Sequence, residues 1–441
     1  MIKRFIRRVF GLAEEQMARV ARGEHSVARD ALSPGAARVC TVLREAGFQA
    51  YVVGGAVRDL LLGIAPEDFD IATDARPEQV KPLFRRALII GRRFRLVHVM
   101  LGAETVEVST FRAADPDTAE KDEHGRVLRD NVFGTQAEDA RRRDFSVNAL
   151  YYDPATEEVI DFHGGLADLK KRVLRVIGEP ETRYREDPVR MLRAVRLAAK
   201  LGLTLDRATR EPIRRLAPLM ERVPPARLFD EMLKLLLSGH ASACLRQLRE
   251  VGLHKGLLPL LDVILEQPLG ERFVTLALAQ TDERVLAERS VSPAFLFAAL
   301  LWHEVLAAWK AREARGERAI PALENAMDEV LDTQCAKLAI TRKLTATMRE
   351  IWSMQPRFEL RSGNRPYRLV ESPRFRMAYD FLALRAASGE VAADFEAWWR
   401  AFHAADADTR KAMLLPDTGP RKRRRRRRRK KQPGAPATAP G

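Results

Sequence analysis

The chain has 441 residues, too many for one compact core, so two to four domains are expected. It is 46% hydrophobic but only 7% aromatic, and Leu, Ala and Arg dominate, which favours a largely helical protein. The formal net charge is +16; residues 421–431 carry eleven of those charges, so the remainder is only mildly basic.

No apolar run approaches the ~20 residues that span a bilayer. The first residues, MIKRFIRRVFGL, are too interspersed with charge for a secretory signal. Cys40, Cys244 and Cys335 lie far apart, in no metal-binding spacing. The expectation is a cytoplasmic protein with no transmembrane segment, no zinc site and reduced thiols.

In chain order, residues 1–34 read as a basic N-terminal extension that ends at Ser33 and Pro34, a helix start. AARVCTVLREAG is an amphipathic helix closed by Gly47. QAYVVGG is a buried strand entering a glycine turn, and AVRDLLLG is a short helix. DFDIATD reads as the next strand and RPEQVKPLF as a helix. ALIIG, RLVHVML and ETVEVSTF are strand-like in their Val and Ile content. Residues 112–140 are polar and read as a loop. One more strand pair is expected at EVIDFHGG, and after about residue 170 nearly every segment has helical periodicity.

The fold class expected is α+β: a small mixed-sheet head, then an all-helical body and a disordered basic tail. The boundaries drawn are 1–34 for the extension, 35–170 for the head and 171–235 for a helical neck. Residues 236–415 form the body with a C-terminal domain, and 416–441 the tail.

Four stretches carry chemistry. Gly54 and Gly55 sit between a strand and a helix, where backbone N–H groups can approach a phosphate, and Arg58 follows in the first turn. Such a turn is more often only a turn. Asp68 and Asp70 are two apart in DFDIATD; on a strand they would share a face. Paired carboxylates repel unless a cation lies between them, and they suit Mg²⁺. Glu107 alternates with Val106 and Val108, a pattern most often seen at a solvent-facing edge.

In RRRDFSVNAL, Arg142 and Arg143 are adjacent cations, while Asp144 and Asn148 are spaced i, i+4, as on one face of a helix. In EDPVRMLRAVRLAAKLG, Asp187 before Pro188 is a natural helix cap. Asp187, Arg190 and Arg193 also form a stripe that could offer an acceptor and donors to a base. A charged helix stripe is more often merely solvated.

The tail block consists of Arg421, Lys422, Arg423, Arg424, Arg425, Arg426, Arg427, Arg428, Arg429, Lys430 and Lys431. Eleven like charges cannot fold alone and attract polyanions: RNA, DNA or an anionic membrane. The alternative is a solvated tail without a specific partner.

Together, GGAVRDLLLG, DFD, RRRDFSVNALYYD and EDPVRMLRAVRLAAKLG resemble, in this order, the bacterial poly(A) polymerase / CCA-adding tRNA nucleotidyltransferase family. This is the class II branch of the polymerase-β-like nucleotidyltransferases. The resemblance implies that Asp68 and Asp70 are a catalytic pair holding two Mg²⁺ ions, with Glu107 as a third metal carboxylate. It implies a further catalytic acid in Asp144, and triphosphate and ribose contacts at Gly54, Gly55 and Arg58. Arg143, Arg190 and Arg193 would contact the nucleotide, and Asp187 with Arg190 would read the base.

Peripheral stretches, IIGRRFRLVHVMLG and PRFRMAYDFLALRAASGE, together with the basic tail, are similar to the poly(A) polymerase branch. The expected reaction is transfer of AMP from ATP to RNA 3′ ends with release of pyrophosphate, marking RNA for processing or decay. RNA-decay proteins and peripheral membrane contact are further expected partners. The alternatives are a CCA-adding enzyme, which would use CTP and then ATP on tRNA, and a non-catalytic RNA-binding protein.

Overall fold

The computed structural model describes residues 17–91, 95–113, 120–121, 127–129, 132–254 and 268–416. The expectations for residues 1–16 and for the basic run 421–431 fall outside them. The chain divides into two compact units, Met1–Arg349 and Glu350–Gly441.

In the first unit the strands are β1 (Ala18–Val20), β2 (Ala50–Val53), β3 (Asp70–Thr73), β4 (Ala87–Ile90), β5 (Leu96–Leu101) and β6 (Glu104–Thr110). A small hairpin, β7 (Glu120–Lys121) and β8 (Val127–Arg129), precedes β9 (Leu150–Asp153) and β10 (Glu158–Asp161). Eight strands form one sheet in the order β1-β10-β9-β2-β3-β6-β5-β4. Every pairing in it is antiparallel except β3 with β6. Central β2 and β9 are buried along their whole length, which is why AYVV and LYY run apolar without alternation. Tyr51, Phe111, Tyr151 and Phe162 interlock in the core beside them.

Strand β1 lies within the stretch read as an extension. Three residues, mostly exposed, give no period for sequence reasoning to detect. Helix α1 (Pro34–Glu45) starts as expected: Pro34 occupies the first turn and Ser33 Oγ accepts from Ala36 N at 3.1 Å. Its face of Val39, Cys40 and Leu43 is buried, and the helix packs on β2, β3 and β6. Burial pushes the Cys40 thiol up to about 12, and all three cysteines are free.

Helices α2 (Gly55–Leu61) and α3 (Pro77–Val80) follow. Helix α4 (Gln136–Arg142) begins inside the stretch read as a loop. A capping box explains it: Thr135 Oγ1 accepts from Glu138 N, and Glu138 Oε2 accepts from Thr135 N.

The remaining helices of this unit are α5 (Gly165–Lys170), α6 (Pro180–Glu186), α7 (Val189–Leu201), α8 (Arg207–Leu216), α9 (Pro225–Leu236), α10 (Ala241–Val251), α11 (Pro268–Leu286), α12 (Pro293–Ala314) and α13 (Ala319–Cys335). A two-residue parallel pair, Val173–Leu174 with Thr204–Leu205, ties α7 back toward the head. Helix α7 packs on α9 and α10, and α12 packs on α11 and α13.

By length and composition α12 could cross a membrane, contrary to the reading that no apolar run is long enough. It is a core helix instead: 61% of its most apolar stretch is buried, including Phe297 and Trp302.

Helix α14 (Arg342–Met354) crosses the boundary between the units. The second unit holds α15 (Arg365–Val370), α16 (Phe375–Ser388), α17 (Ala393–Ala404) and α18 (Ala407–Met413). Its core is aromatic: Phe358, Phe375, Trp399 and Phe402 pack together, and Trp399 Nε1 donates to Phe358 O at 2.9 Å.

Candidate active site

The carboxylates meet where the parallel pair begins. Asp70 is the first residue of β3 and stands in register with Glu107 of β6. Asp68 lies two residues ahead, exposed and outside the strand, so the two aspartates do not share a strand face. The ladder starts at Asp70 because its partner Val53 ends β2; Gly54 then turns away and leaves nothing to pair with Asp68.

The charges nevertheless converge. The Asp70 carboxyl is pushed up to about 6, first by burial, then by the Glu107 and Asp68 charges, with Arg143 acting in the opposite sense. Glu107 Oε2 lies 3.6 Å from Nε2 of His98, its neighbour on β5. Among the described residues no set of three or more His, Cys, Asp or Glu side chains is closed into a metal cage. The donor set still fits a hard cation: Asp68, Asp70 and Glu107 offer like-charged oxygen ligands, the last two half-buried.

The glycine turn supports an arginine. Gly54 has φ 79° and ψ −127°, a conformation reserved for glycine. A Cβ there would lie 3.3 Å from Arg143 Nη1. Arg143 is held by residues the sequence reading passed over: Nη2 donates to Asp139 Oδ2 at 3.1 Å, and Nε donates to Tyr151 Oη at 3.2 Å. Tyr151 Oη in turn donates to Asp139 at 2.7 Å. The i, i+4 spacing of Asp139 and Arg143 was the available signal. Nearby, burial and the guanidiniums of Arg112, Arg183 and Arg190 push Arg142 down to about 10. Such crowding of cations suits a polyanion.

Asp144 has a different environment. Helix α4 ends at Arg142, and a separate 3₁₀ turn, Ser146–Asn148, follows, so Asp144 and Asn148 do not lie on one helix as the spacing suggested. The extended backbone at Arg143 ends α4 before Asp144, and the extended Phe145 separates Asp144 from the 3₁₀ turn. They still touch: Asn148 Nδ2 donates to Asp144 Oδ1 at 3.1 Å, and Phe145 N donates to the same oxygen at 2.9 Å. Oδ2 accepts from Arg193 Nε at 2.8 Å. Burial alone would raise the Asp144 carboxyl; Arg193, Asn148 and Phe145 N–H together outweigh it and hold the carboxyl low. Asn148 Oδ1 also accepts from Arg58 Nη1 at 2.6 Å, and Arg58 pairs with Asp59. A polar chain thus runs Asp59–Arg58–Asn148–Asp144–Arg193, joining α2 to α7.

On α7 the expected stripe is present, with separate partners. Pro188 rather than Asp187 is the residue just before the helix, and Asp187 caps it by accepting from Val189 N at 3.3 Å. Its other oxygen accepts from Arg227 at 2.6 Å. Arg190 donates to Glu186 at 3.0 Å and to Arg183 O at 2.8 Å. Asp187 and Arg190 therefore stand near one another, each with its own partner.

Comparison with known proteins fits this arrangement. A family model described as "Poly A polymerase head domain" matches residues 50–175. "Probable RNA and SrmB- binding site of polymerase A" matches 202–265, and "Polymerase A arginine-rich C-terminus" matches 315–432. The chain is 45% identical to "Poly(A) polymerase I" of Salmonella typhi over 427 residues, 93% of this chain and 92% of that one. It is 39% identical to the "CCA-adding enzyme" of Streptococcus pyogenes, over only 46% of this chain and 49% of that one. Among solved structures, the Bacillus stearothermophilus CCA-adding enzyme in complex with CTP matches with a TM-score of 0.57 at 26% identity. That match covers 87% of this chain and 82% of the other.

A mixed-sheet head with its acids at the parallel pair, followed by helices, is the architecture of a polymerase-β-like nucleotidyltransferase. The sequence likeness to the Streptococcus pyogenes CCA-adding enzyme stops at about half the chain, whereas that to the Salmonella typhi poly(A) polymerase I runs nearly end to end. The chain belongs to the poly(A) polymerase family.

Proposed function

We propose that Asp68, Asp70 and Glu107 are the metal-binding carboxylates of a template-independent polynucleotide adenylyltransferase that adds AMP from ATP to RNA 3′ ends. The observation that carries this is the register of Asp70 with Glu107 on the parallel pair, with Asp68 two residues ahead; burial and those two charges push the Asp70 carboxyl up to about 6. When bound, Mg²⁺, as two ions, would lower the pKa of the attacking 3′-hydroxyl and neutralise the leaving pyrophosphate.

The chain's own groups supply the rest. Arg142, crowded by other guanidiniums, and Arg143, held in place by Asp139 and Tyr151, face the polyphosphate. Gly54 permits the close approach of Arg143 to the turn. Asp144 acts by holding Arg193, and Asn148 by holding Arg58, so both arginines enter the reaction already oriented. Asp187 and Arg190 offer an acceptor and donors to the base. Helices within 202–265 hold the RNA, and Arg421–Lys431 speed its capture by releasing counterions. The cytoplasm is the proposed site of action.

The test offers the purified protein a labelled generic RNA with Mg²⁺ and each nucleoside triphosphate separately, beside a tRNA ending before its CCA. Long ladders with ATP alone are expected. Addition of two C and one A to the tRNA alone would move the chain to the CCA-adding branch.

A further inference from the structure

Segment 64–69 joins α2 to β3 and carries Asp68 outside both elements. Backbone bonds fix its ends: Ile64 N donates to Asp59 O at 2.8 Å, and Asp70 enters the ladder opposite Val53. Between those ends a side chain takes over. Lys200 Nζ donates at 2.7 Å to Oε1 of Glu67, the residue next to Asp68. That bond holds the Glu67 carboxyl below its ordinary value, and the charges of Arg196 and Arg58 act in the same sense.

Lys200 comes from the last turn of α7. A lysine there complements the negative end of the helix dipole. The dipole explains a cation at this position, but not the reach of its ammonium to a loop of the head. Arg193, seven residues earlier, lies on the same face of α7, because seven residues make almost two whole turns. Arg193 grips Asp144 and Lys200 grips Glu67, so one face of α7 touches the head at two charged points. The second point lies beside the carboxylate corner.

We propose that Lys200 is a positioning residue for the metal-binding corner: by holding Glu67 it fixes the segment that brings Asp68 toward Asp70 and Glu107. The proposal rests on those three acids being the metal ligands. Asp68 stands ahead of the ladder, so its carboxylate is only as well placed as the segment that carries it. The Glu67 side chain is 83% exposed and that of Lys200 27%. A pair so open to water adds little to the stability of the whole fold. It suffices to bias a short loop, and its effect is read at the metal rather than in the melting temperature.

Charge alone offers a rival account, because Glu67 and Lys200 also set up opposite fields at the corner. The two accounts differ in sign. By field alone, neutralising Glu67 weakens cation binding, neutralising Lys200 strengthens it, and neutralising both changes little. Loss of position weakens binding in all three cases.

The test titrates Mn²⁺ into the full chain and follows the free ion by electron paramagnetic resonance. It compares the wild type with Glu67→Gln, Lys200→Gln, the two combined, Lys200→Arg and Asp68→Asn. Glu67→Gln, Lys200→Gln and their combination should each weaken Mn²⁺ binding by about threefold, the combination no more than either alone. Lys200→Arg, which keeps a donor for Glu67, should recover most of the loss. The Mg²⁺ needed for half-maximal AMP incorporation should rise in parallel. Opposite shifts for Glu67→Gln and Lys200→Gln, with the combination like wild type, would leave charge alone and overturn the proposal. A combined loss equal to the product of the single losses would mean two separate roles and overturn it as well. If Asp68→Asn weakens Mn²⁺ binding and the Glu67 and Lys200 variants do not, the role of Lys200 fails while the metal site stands. If Asp68→Asn leaves Mn²⁺ binding unchanged, Asp68 is not a ligand and both fail.

Discussion

Asp70 and Asp144 belong to the same head and live in opposite electrostatics. Around Asp70 stand Glu107 and Asp68, and its carboxyl rises to about 6. Around Asp144 stand Arg193, an amide and a backbone N–H, and its carboxyl is held low despite full burial. An acid among like charges suits the binding of a cation, while an acid with every oxygen satisfied suits the holding of its neighbours. By this comparison the two aspartates, which the sequence motifs present alike, stand in opposite environments; the proposed roles, Asp70 in the chemistry and Asp144 in the frame that aims the arginines, follow that difference.

Substitution can break this comparison at either acid. The largest effect is expected at the carboxylate corner: Asp68→Ala or Asp70→Ala should cut AMP incorporation about a thousandfold or more, with circular dichroism unchanged. Activity within tenfold of wild type for either would remove these residues from the metal site.

Next in size, Asp144→Ala should lower unfolding stability by about 2–3 kcal/mol in denaturant titration, because it strips Arg193 and Asn148 of their acceptor. The figure is kept below that of a fully buried pair because the Arg193 side chain is 37% exposed. Unchanged stability would mean the polar chain from Arg58 to Arg193 holds nothing together.

The smallest effect has the opposite sign. The Asp70 carboxyl titrates at about 6 when folded against 3.8 as its ordinary value, so the folded chain binds the extra proton between those limits. That contribution to stability is complete below about pH 4 and is lost as pH rises through 6. In chelator at pH 7, Asp70→Asn should therefore stabilise the protein, on the order of 1–2 kcal/mol, while abolishing activity. A lower melting temperature for this variant would show that Asp70 is compensated after all.

Much of this was legible in the chain. Ser33 and Pro34 announced α1, the Val-rich runs announced the strands, and GGAVRD, DFD, RRRDFSVNAL and EDPVR stood out by composition and spacing. The misses share a cause. Strand β1 and helix α4 are short elements with weak periods, the first fixed by an edge pairing with β10 and the second by its capping box. Arg58 meets Asn148 from 90 residues away, and Arg227 meets Asp187 from 40. No local spacing encodes such meetings.

The sequence by itself determined which chemical groups exist and which elements carry them, because helix periodicity, capping and glycine turns act over a few residues. Tertiary structure alone decided which acid faces acids and which faces arginines, because burial and Coulomb interaction depend on distance in space. Folding therefore separates Asp70 of DFD from Asp144 of RRRDF in electrostatic environment, although side-chain type makes them identical.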